Sequence, residues 1–318
     1  SSGLTLSIIN AKVTGTIDTL QYRGYTYRKI AMNGLFNRKI FDGKIKADDP
    51  NVDFTFDGLI DLRDTFPVMD FKANINRLDL GVLNLVKEDW VLSGKVQQIK
   101  FNARSWDALT GNVVLRNFQI LQDRERVHRL DSVVISSNLR KDGSRFVYFD
   151  SDIADGSIEG NYDLTKTPRR LLGMFAKYYP RFAARAGLRQ PDSLDVSEQY
   201  DLRLNIRDTR QWTRLFAEPL DTLRNLYVKV HVEGDIGLVQ VLMEAPELRY
   251  NKTVLKDASL NWYSLRDSAT YNIRLPSTRL NPKRTLAPVT ISGFMTDEAI
   301  TFHLETKDSA QIIQSLNL

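Results

Sequence analysis

The sequence predicts a mainly β protein of antiparallel strands, with one or two amphipathic helices inserted between them. Apolar and polar residues alternate with period two over many short segments, which is the pattern of strands with one apolar and one polar face. Turn-forming residues separate these segments, as in "DDPN" at 48–51 and "DG" at 142–143 and 155–156. Strands joined by such short turns are antiparallel.

The alternating segments extend over most of the chain, at 52–62, 133–137, 145–150, 200–206, 226–234 and 299–307. The apolar members of these and neighbouring runs are predicted to share one surface, which is either an open groove or a closed core. A β-bulge reverses the face of every residue that follows it, so each assignment depends on strand phase. The candidate groove residues are Val52, Phe54, Phe56, Ile60, Phe71, Ile75, Val133, Ile135, Phe146, Tyr148, Leu202, Leu204, Ile206, Val228, Val230, Val232, Trp262, Ile273, Phe302 and Leu304.

A basic amphipathic helix is predicted at 166–190, between two strand-rich sections at 1–165 and 191–318. Thr167 is a suitable N-cap, Pro168 suits the first helical position and Gly187 ends the pattern. Its cations either pair with acidic residues of neighbouring strands and water, or form a surface for anionic lipid head groups or an acidic partner. The cationic candidates are Arg169, Arg170, Lys177, Arg181 and Arg185. A second, shorter helix is predicted at 208–220, capped by Asp208.

A faint internal repeat of about 100 residues connects the strand-rich sections. The segment "FDGLIDLRDTFP" at 56–67 matches "IEGNYDLTKTP" at 158–168. The match pairs Gly58 with Gly160 and Asp61 with Asp163, and a proline follows in both segments.

Composition and motifs indicate a protein that is not an enzyme and holds no metal or cofactor. The 318 residues include no cysteine, which excludes disulfides, thiolate metal sites and cysteine nucleophiles. The net charge of +5 is spread among interspersed charges, so no nucleic-acid partner is predicted. The glycine-rich phosphate-binding motifs, the zinc-protease H-E-x-x-H and the nucleophile elbow G-x-S-x-G do not occur.

The acidic clusters of the chain are better explained as turn residues than as catalytic or metal-binding groups. "DSDIADG" at 150–156 departs from a calcium loop because Ala154 stands at a ligand position. Asp61 and Asp64 lie within a turn signal, where aspartate accepts backbone hydrogen bonds. An enzyme built on a β-solenoid, with Asp61 or Asp163 as an essential carboxylate, is the minor alternative.

Three segments carry a resemblance to a known family. They are "GYTYRKIAMNG" at 24–34, "FDGKIKADDPNVDFTFDGLIDL" at 41–62 and "MDFKANINRLDLGVLNL" at 69–85. Together they resemble the TamB family of translocation and assembly module proteins, within the AsmA-like superfamily. The resemblance covers most of 12–190 and becomes looser at 191–318. Neither the N-terminal membrane helix nor the C-terminal end of that family is evident, so we expect the chain to be an internal fragment of such a protein.

The resemblance implies an elongated β-taco, in which a long antiparallel sheet bends into a U around a hydrophobic groove. It also implies a periplasmic location, with an inner-membrane anchor in the full-length protein. The implied function is to carry phospholipid, held by its acyl chains, between the inner and outer membranes. Parts outside this fragment would engage an outer-membrane assembly barrel of the BamA/TamA type. The alternative is a chaperone-like scaffold that assembles outer-membrane proteins through strand or edge interactions.

Overall fold

The computed structural model describes residues 10–102, 110–163, 165–167, 170, 196–210, 212, 220–296, 299–307 and 313–317. This part of the chain is mainly β and its paired strands run antiparallel, which confirms the predicted class. The chain divides into two compact units. The first consists of Ser1–Leu139 with Tyr148–Asp152, and the second consists of Arg140–Val147 with Ile153–Leu318. Within the described residues, no helix has both the length and the hydropathy needed to cross a membrane.

The first unit is a ladder of eight strands, each hydrogen-bonded to the next along the chain. Sequential pairing follows from the short turns, which leave no length for a crossover. The strands are β1 (Asn10–Tyr22), β2 (Tyr25–Asn37), β3 (Ile40–Asp49), β4 (Val52–Asp61), β5 (Val68–Asp79), β6 (Trp90–Asn102), β7 (Thr110–Gln122) and β8 (Arg126–Leu139). Strand β9 (Arg145–Ser151) is divided between the two units.

The second unit is also a ladder, with one departure from sequential pairing. Strands β10 to β15 pair in order, after which β15 pairs with β18 because the β16–β17 hairpin pairs with the first part of β14. The first five are β10 (Ala154–Asn161), β11 (Gln199–Asp208), β12 (Leu220–Glu233), β13 (Leu238–Tyr250) and β14 (Thr253–Leu265). The remainder are β15 (Ser268–Leu275), β16 (Ser277–Asn281), β17 (Arg284–Leu286), β18 (Val289–Thr296), β19 (Ile300–Lys307) and β20 (Ile313–Asn317).

Several reversals of the chain fall where turn residues predict them. Pro50 and Asn51 of "DDPN" join β3 to β4, and Gly143 adopts a φ of 84° in the turn after β8. The prediction at 155–156 is wrong, because these residues lie inside β10. Gly156 is buried in that strand and opposes Leu204 of β11, so its role is packing and not chain reversal.

The turn between β2 and β3 places two residues with long side chains in the left-handed region. Asn37 pairs with Ile40, and the intervening Arg38 and Lys39 have φ angles of 45° and 71°. Positive φ at both positions is the signature of a type I′ turn, which matches the twist of the flanking strands. An asparagine or glycine adopts this conformation with less strain than arginine or lysine does.

We expect Lys39→Gly to raise the free energy of unfolding by about 0.5–1 kcal/mol, because it removes the left-handed strain of a side-chain-bearing residue. Urea denaturation of the variant and the wild-type chain measures the difference. Lys44→Gly is the control, since Lys44 lies in the extended interior of β3, where glycine is unfavourable. A loss of stability in Lys39→Gly would contradict the assigned turn.

The paired glycines of the repeat occupy the same local environment. Gly58 and Gly160 lie within strands at φ angles of 143° and 128°. A Cβ atom on Gly58 would lie 2.2 Å from the carbonyl oxygen of Asp70, and one on Gly160 would lie 2.1 Å from that of Gln199. Both positions therefore require glycine, because a neighbouring strand backbone passes too closely for a side chain.

The paired aspartates of the repeat also have matching roles. Asp61 accepts a hydrogen bond from the backbone N–H of Arg63 at 3.0 Å, and Asp163 accepts one from that of Thr165 at 2.9 Å. Each aspartate ends or follows a strand and turns the chain through its own carboxylate. The carboxylate of Asp163 also accepts a second backbone hydrogen bond, from the N–H of Lys166 at 3.2 Å.

The predicted helix at 166–190 begins earlier than expected in the part that the structure describes. Thr167 is not the N-cap: its backbone N–H already donates to the carbonyl oxygen of Asp163 at 2.7 Å, and Arg170 donates to Lys166 at 2.9 Å. The carboxylate of Asp163 provides the cap. The rest of this helix lies outside the described residues. At the predicted helix 208–220, Asp208 accepts from the N–H of Arg210, and most later positions lie outside the described residues.

The hydroxyl of Thr165, which donates to Asp163, is the main cause that lowers the pKa of this carboxyl to about 2. A depressed pKa stabilises the fold above the ordinary aspartate pKa of ~4, and this contribution is lost as the pH falls towards 2. We expect Asp163→Asn to lower the free energy of unfolding at pH 7 by about 1 kcal/mol. Urea denaturation across the acid range measures this. The difference from wild type should vanish towards pH 2, and a constant difference would contradict the assignment.

Candidate functional site: the apolar sheet face

Strand pairing in the first unit aligns apolar residues of all eight strands into rows that cross the sheet. Residues directly opposite each other on neighbouring strands share a face, so each row is a strip of one surface. One row consists of Val13, Gly34, Gly43, Gly58, Phe71, Ile99, Val113 and Ile135, one residue from each strand in order. All eight are half-buried, and we call this set the open row.

A neighbouring parallel row lies two residues away in each strand, or three in β6 because of its bulge, and is more closely packed at its centre. It consists of Gly15, Met32, Ile45, Phe56, Ala73, Val96, Leu115 and Val133. Phe56 and Val96 are buried here, whereas Met32, Leu115 and Val133 are half-buried. The bulges in β5 and β6 leave extra residues unpaired yet keep the apolar positions on this face.

Aromatic rings pack against one another on this face: Phe36 and Phe41 oppose each other directly beside the open row, and Phe71 of that row lies diagonally to Phe56. Phe36 and Phe41 have ring centroids 4.8 Å apart, Phe41 and Phe56 are 5.8 Å apart, and Phe56 and Phe71 are 4.9 Å apart. The ring of Phe41 lies over Gly34, where a Cβ would be 2.9 Å from one of its carbons. These tilted contacts stabilise the sheet across four strands.

The candidate groove residues of the first unit fall into two groups. Phe54, Ile60, Phe71, Ile75, Val133 and Ile135 are half-buried and keep part of each side chain accessible. Val52 and Phe56 are covered by protein, with 3% and 8% of their surface exposed. Val52 packs in a cluster with Ala47 and Leu83, because the segment after β5 folds over this end of the face.

Strand β9 has the opposite phase to the one expected from sequence. Val147 packs against the cluster that contains Ile158 and Tyr200, so the alternate residues Phe146 and Tyr148 point to the other face. Tyr148 is 38% exposed. The run "RFVYFD" is apolar at four consecutive positions, and such a run does not define which face is inside.

The second unit repeats the arrangement of rows and fills more of its apolar face with its own side chains. One row contains Ile158, Leu202, Val230, Val241, Trp262, Tyr271, Gly293 and Phe302. Among the candidates, Val230, Val232 and Trp262 are buried in two apolar clusters. The half-buried candidates are Leu202, Leu204, Ile206, Val228, Ile273, Phe302 and Leu304.

Of the five cationic candidates, the described residues include only Arg170, and it is buried. Its guanidinium Nη1 lies 2.5 Å from Oε1 of Glu198, which is also buried. Burial, followed by the charge of Glu198, raises the pKa of the neighbouring Tyr200. Arg170 is therefore part of an internal ion pair and faces protein instead of solvent. Arg169, Lys177, Arg181 and Arg185 lie outside the described residues.

The carboxylates considered for catalysis are engaged in local contacts. Asp61 forms a bidentate ion pair with Arg63. The side-chain hydrogen bonds from Arg63 are the largest cause that lowers the pKa of the Asp61 carboxyl. Asp163 caps the following turn. Across the described parts of the chain, no group of three or more histidine, aspartate or glutamate residues has the arrangement of a metal site.

Sequence reasoning missed several residues of the apolar face. Ile45, Ile99, Val113 and Leu115 belong to the rows described above. The alternation in "GKIKA" is a usable signal for Ile45. The consecutive apolar residues of "GNVVLR" leave the face of Val113 and Leu115 ambiguous, and Ile99 follows two glutamines in "VQQIKF" without clean alternation.

Compared with known proteins, the chain matches no family model, no characterised protein and no solved structure. The functional interpretation therefore rests on the two faces of the sheet.

Proposed function

We propose that the chain is a non-catalytic segment of a periplasmic bridge that carries phospholipid between the inner and outer membranes. The open row is the observation that carries the proposal. Its eight half-buried members form an apolar strip that crosses every strand of the first unit. A lipid acyl chain placed along this strip removes apolar surface from water on both partners. In this proposal the sheet bends into the U of a β-taco, as in TamB-like proteins.

The energetics of acyl-chain burial favour such a surface. Each buried methylene contributes ~0.8 kcal/mol, so a chain of about 16 carbons gains on the order of 12 kcal/mol before its ordering cost. A row that continues from strand to strand lets the chain slide by exchanging one apolar contact for another. Movement along the sheet then needs no bond-making step and no catalytic group.

Photo-crosslinking in cells tests the proposal. A photoreactive amino acid at Phe71, in the open row, should yield phospholipid adducts. The same amino acid at Lys72, an exposed position on the opposite face, is the matched control. Equal lipid labelling at the two positions, or none at Phe71, would overturn the proposal.

A second candidate function is a scaffold that receives strands of outer-membrane proteins. Within the described residues, β1 pairs with β2, and in this alternative a client strand would add to the other edge of β1. Its 13 residues include only Lys12 and Asp18 as charged residues, which is weak protection against pairing. Crosslinks from Thr16 of β1 to protein, without lipid adducts at Phe71, would favour this function over lipid transport.

A further inference from the structure

A trough of about 490 Å³ crosses strands β12 to β15 of the second unit. Two neighbouring cross-strand rows form its sides. One row contains Lys229, Leu242, Asn261 and Asn272, and the other contains His231, Gln240, Tyr263 and Thr270. The backbone of Val241, Trp262 and Tyr271 lies between the two rows and forms the floor, because the side chains of these residues point to the other face.

The trough lies on the face opposite to the apolar rows. Its side residues alternate along each strand with Val241, Trp262 and Tyr271, which belong to the apolar row of this unit. Successive side chains of a strand point to opposite faces of the sheet. A ligand in the trough would therefore not compete with one on the apolar face.

The chemistry of the trough is that of hydrogen bonding beside an exposed aromatic ring. Asn261, Asn272 and Gln240 each offer an amide that both donates and accepts, and Thr270 adds a hydroxyl. Tyr263 is 43% exposed, so its ring is accessible beside these groups. An apolar ring surface next to groups that both donate and accept matches a sugar, which has an apolar C–H face and hydroxyls around its edge.

His231 lies at one end of the trough, between two carboxylates. Its Nδ1 lies 3.1 Å from Oδ1 of Asp201 and its Nε2 lies 2.9 Å from Oε1 of Glu233. The hydrogen bond to Glu233 is the main cause that raises the pKa of this imidazole, and Asp201 adds to it.

We propose that this trough binds an extended oligosaccharide that carries acetamido groups. Four strands at ~4.8 Å spacing give a site about 15 Å long, which suits several sugar units in line. Acetamido groups pair with side-chain amides through reciprocal N–H to C=O hydrogen bonds, and Asn261 and Gln240 stand on opposite sides of the trough. This inference does not depend on the proposed lipid transport.

The test is calorimetric titration of the full chain with the β-1,4-linked hexasaccharide of N-acetylglucosamine, and with cellohexaose as the analogue that lacks acetamido groups. We expect saturable binding of the first probe below about 1 mM and at least about tenfold weaker binding of the second. Tyr263→Ala should weaken the first interaction by about tenfold. Tyr250→Ala is the matched control, because Tyr250 is 50% exposed and lies outside the trough.

Three results would overturn the inference. The first is no binding of the acetamido hexasaccharide at about 5 mM, well above the expected dissociation constant. The second is equal affinity of the two hexasaccharides, which would remove the role of the acetamido groups. The third is equal loss of binding in Tyr263→Ala and Tyr250→Ala while both variants keep the wild-type circular dichroism spectrum. Phospholipid adducts at Phe71 are a separate readout, so this inference and the proposed function fail independently.

Discussion

Replacing Gly58 with alanine is expected to lower the free energy of unfolding by more than about 3 kcal/mol. The added Cβ would lie 2.2 Å from the carbonyl oxygen of Asp70 and 2.5 Å from the Cα of Phe71. Both atoms are backbone, so relief of the clash requires β4 and β5 to move apart. The φ of 143° adds strain, because an L-residue rarely adopts it. Urea denaturation measures the effect.

Gly15→Ala is the matched control for this prediction. Gly15 also lies inside a strand of the first unit, but no heavy atom lies within 4 Å of its added Cβ. Its φ of 159° is also unfavourable for an L-residue, so this variant keeps the conformational strain and lacks the backbone clash. We expect a loss of no more than about 1 kcal/mol. Similar losses in Gly15→Ala and Gly58→Ala would show that close strand approach is not the reason for the glycine in β4.

Replacing Val113 with aspartate is expected to remove most lipid binding. Val113 belongs to the open row, between Ile99 and Ile135. A carboxylate there must lose its water when an acyl chain covers it, which costs several kcal/mol and opposes the gain from methylene burial. Phospholipid that co-purifies with the chain, quantified by mass spectrometry, should fall at least about tenfold.

Val114→Asp is the control, because Val114 is the next residue of β7, is the same residue type and is also half-buried. It opposes Val134 and lies on the other face of the sheet. The variant should retain wild-type lipid content. If both substitutions lower bound lipid equally at similar stability, the apolar face is not the lipid site, and the proposed conduit is excluded for the first unit.

Much of the candidate face could be predicted from sequence where the alternation is clean. In "VDFTFDGLID", Phe54, Phe56 and Ile60 alternate with polar residues, and the register of β4 places them on one face. Prediction of the inward face is weakest in β9, because four successive apolar residues leave no polar position to mark the outward face. Val147 packs inward there because it meets the cluster of Ile158 and Tyr200, residues that follow it by 11 and 53 positions.

The sequence also does not predict which apolar side chains of this face are covered by other segments of the chain. Val52 and Phe54 have the same spacing pattern, yet Val52 is buried and Phe54 is half-buried. The difference arises because Leu83, about 30 residues later, folds over Val52. Arg170 is a similar case. Its charge predicts a solvent-exposed position, but the residue is buried because it forms an internal ion pair with Glu198.

By itself, the amino-acid sequence determined the mainly β class, the antiparallel ladder and the positions of many turns. These features depend on alternation and turn chemistry within a few neighbouring residues. Only the tertiary structure decided strand phase after a bulge, the glycine positions that neighbouring backbones leave without space, and the division between covered and accessible apolar side chains. Each of these depends on which distant segments pack together, and the local sequence pattern does not predict that packing.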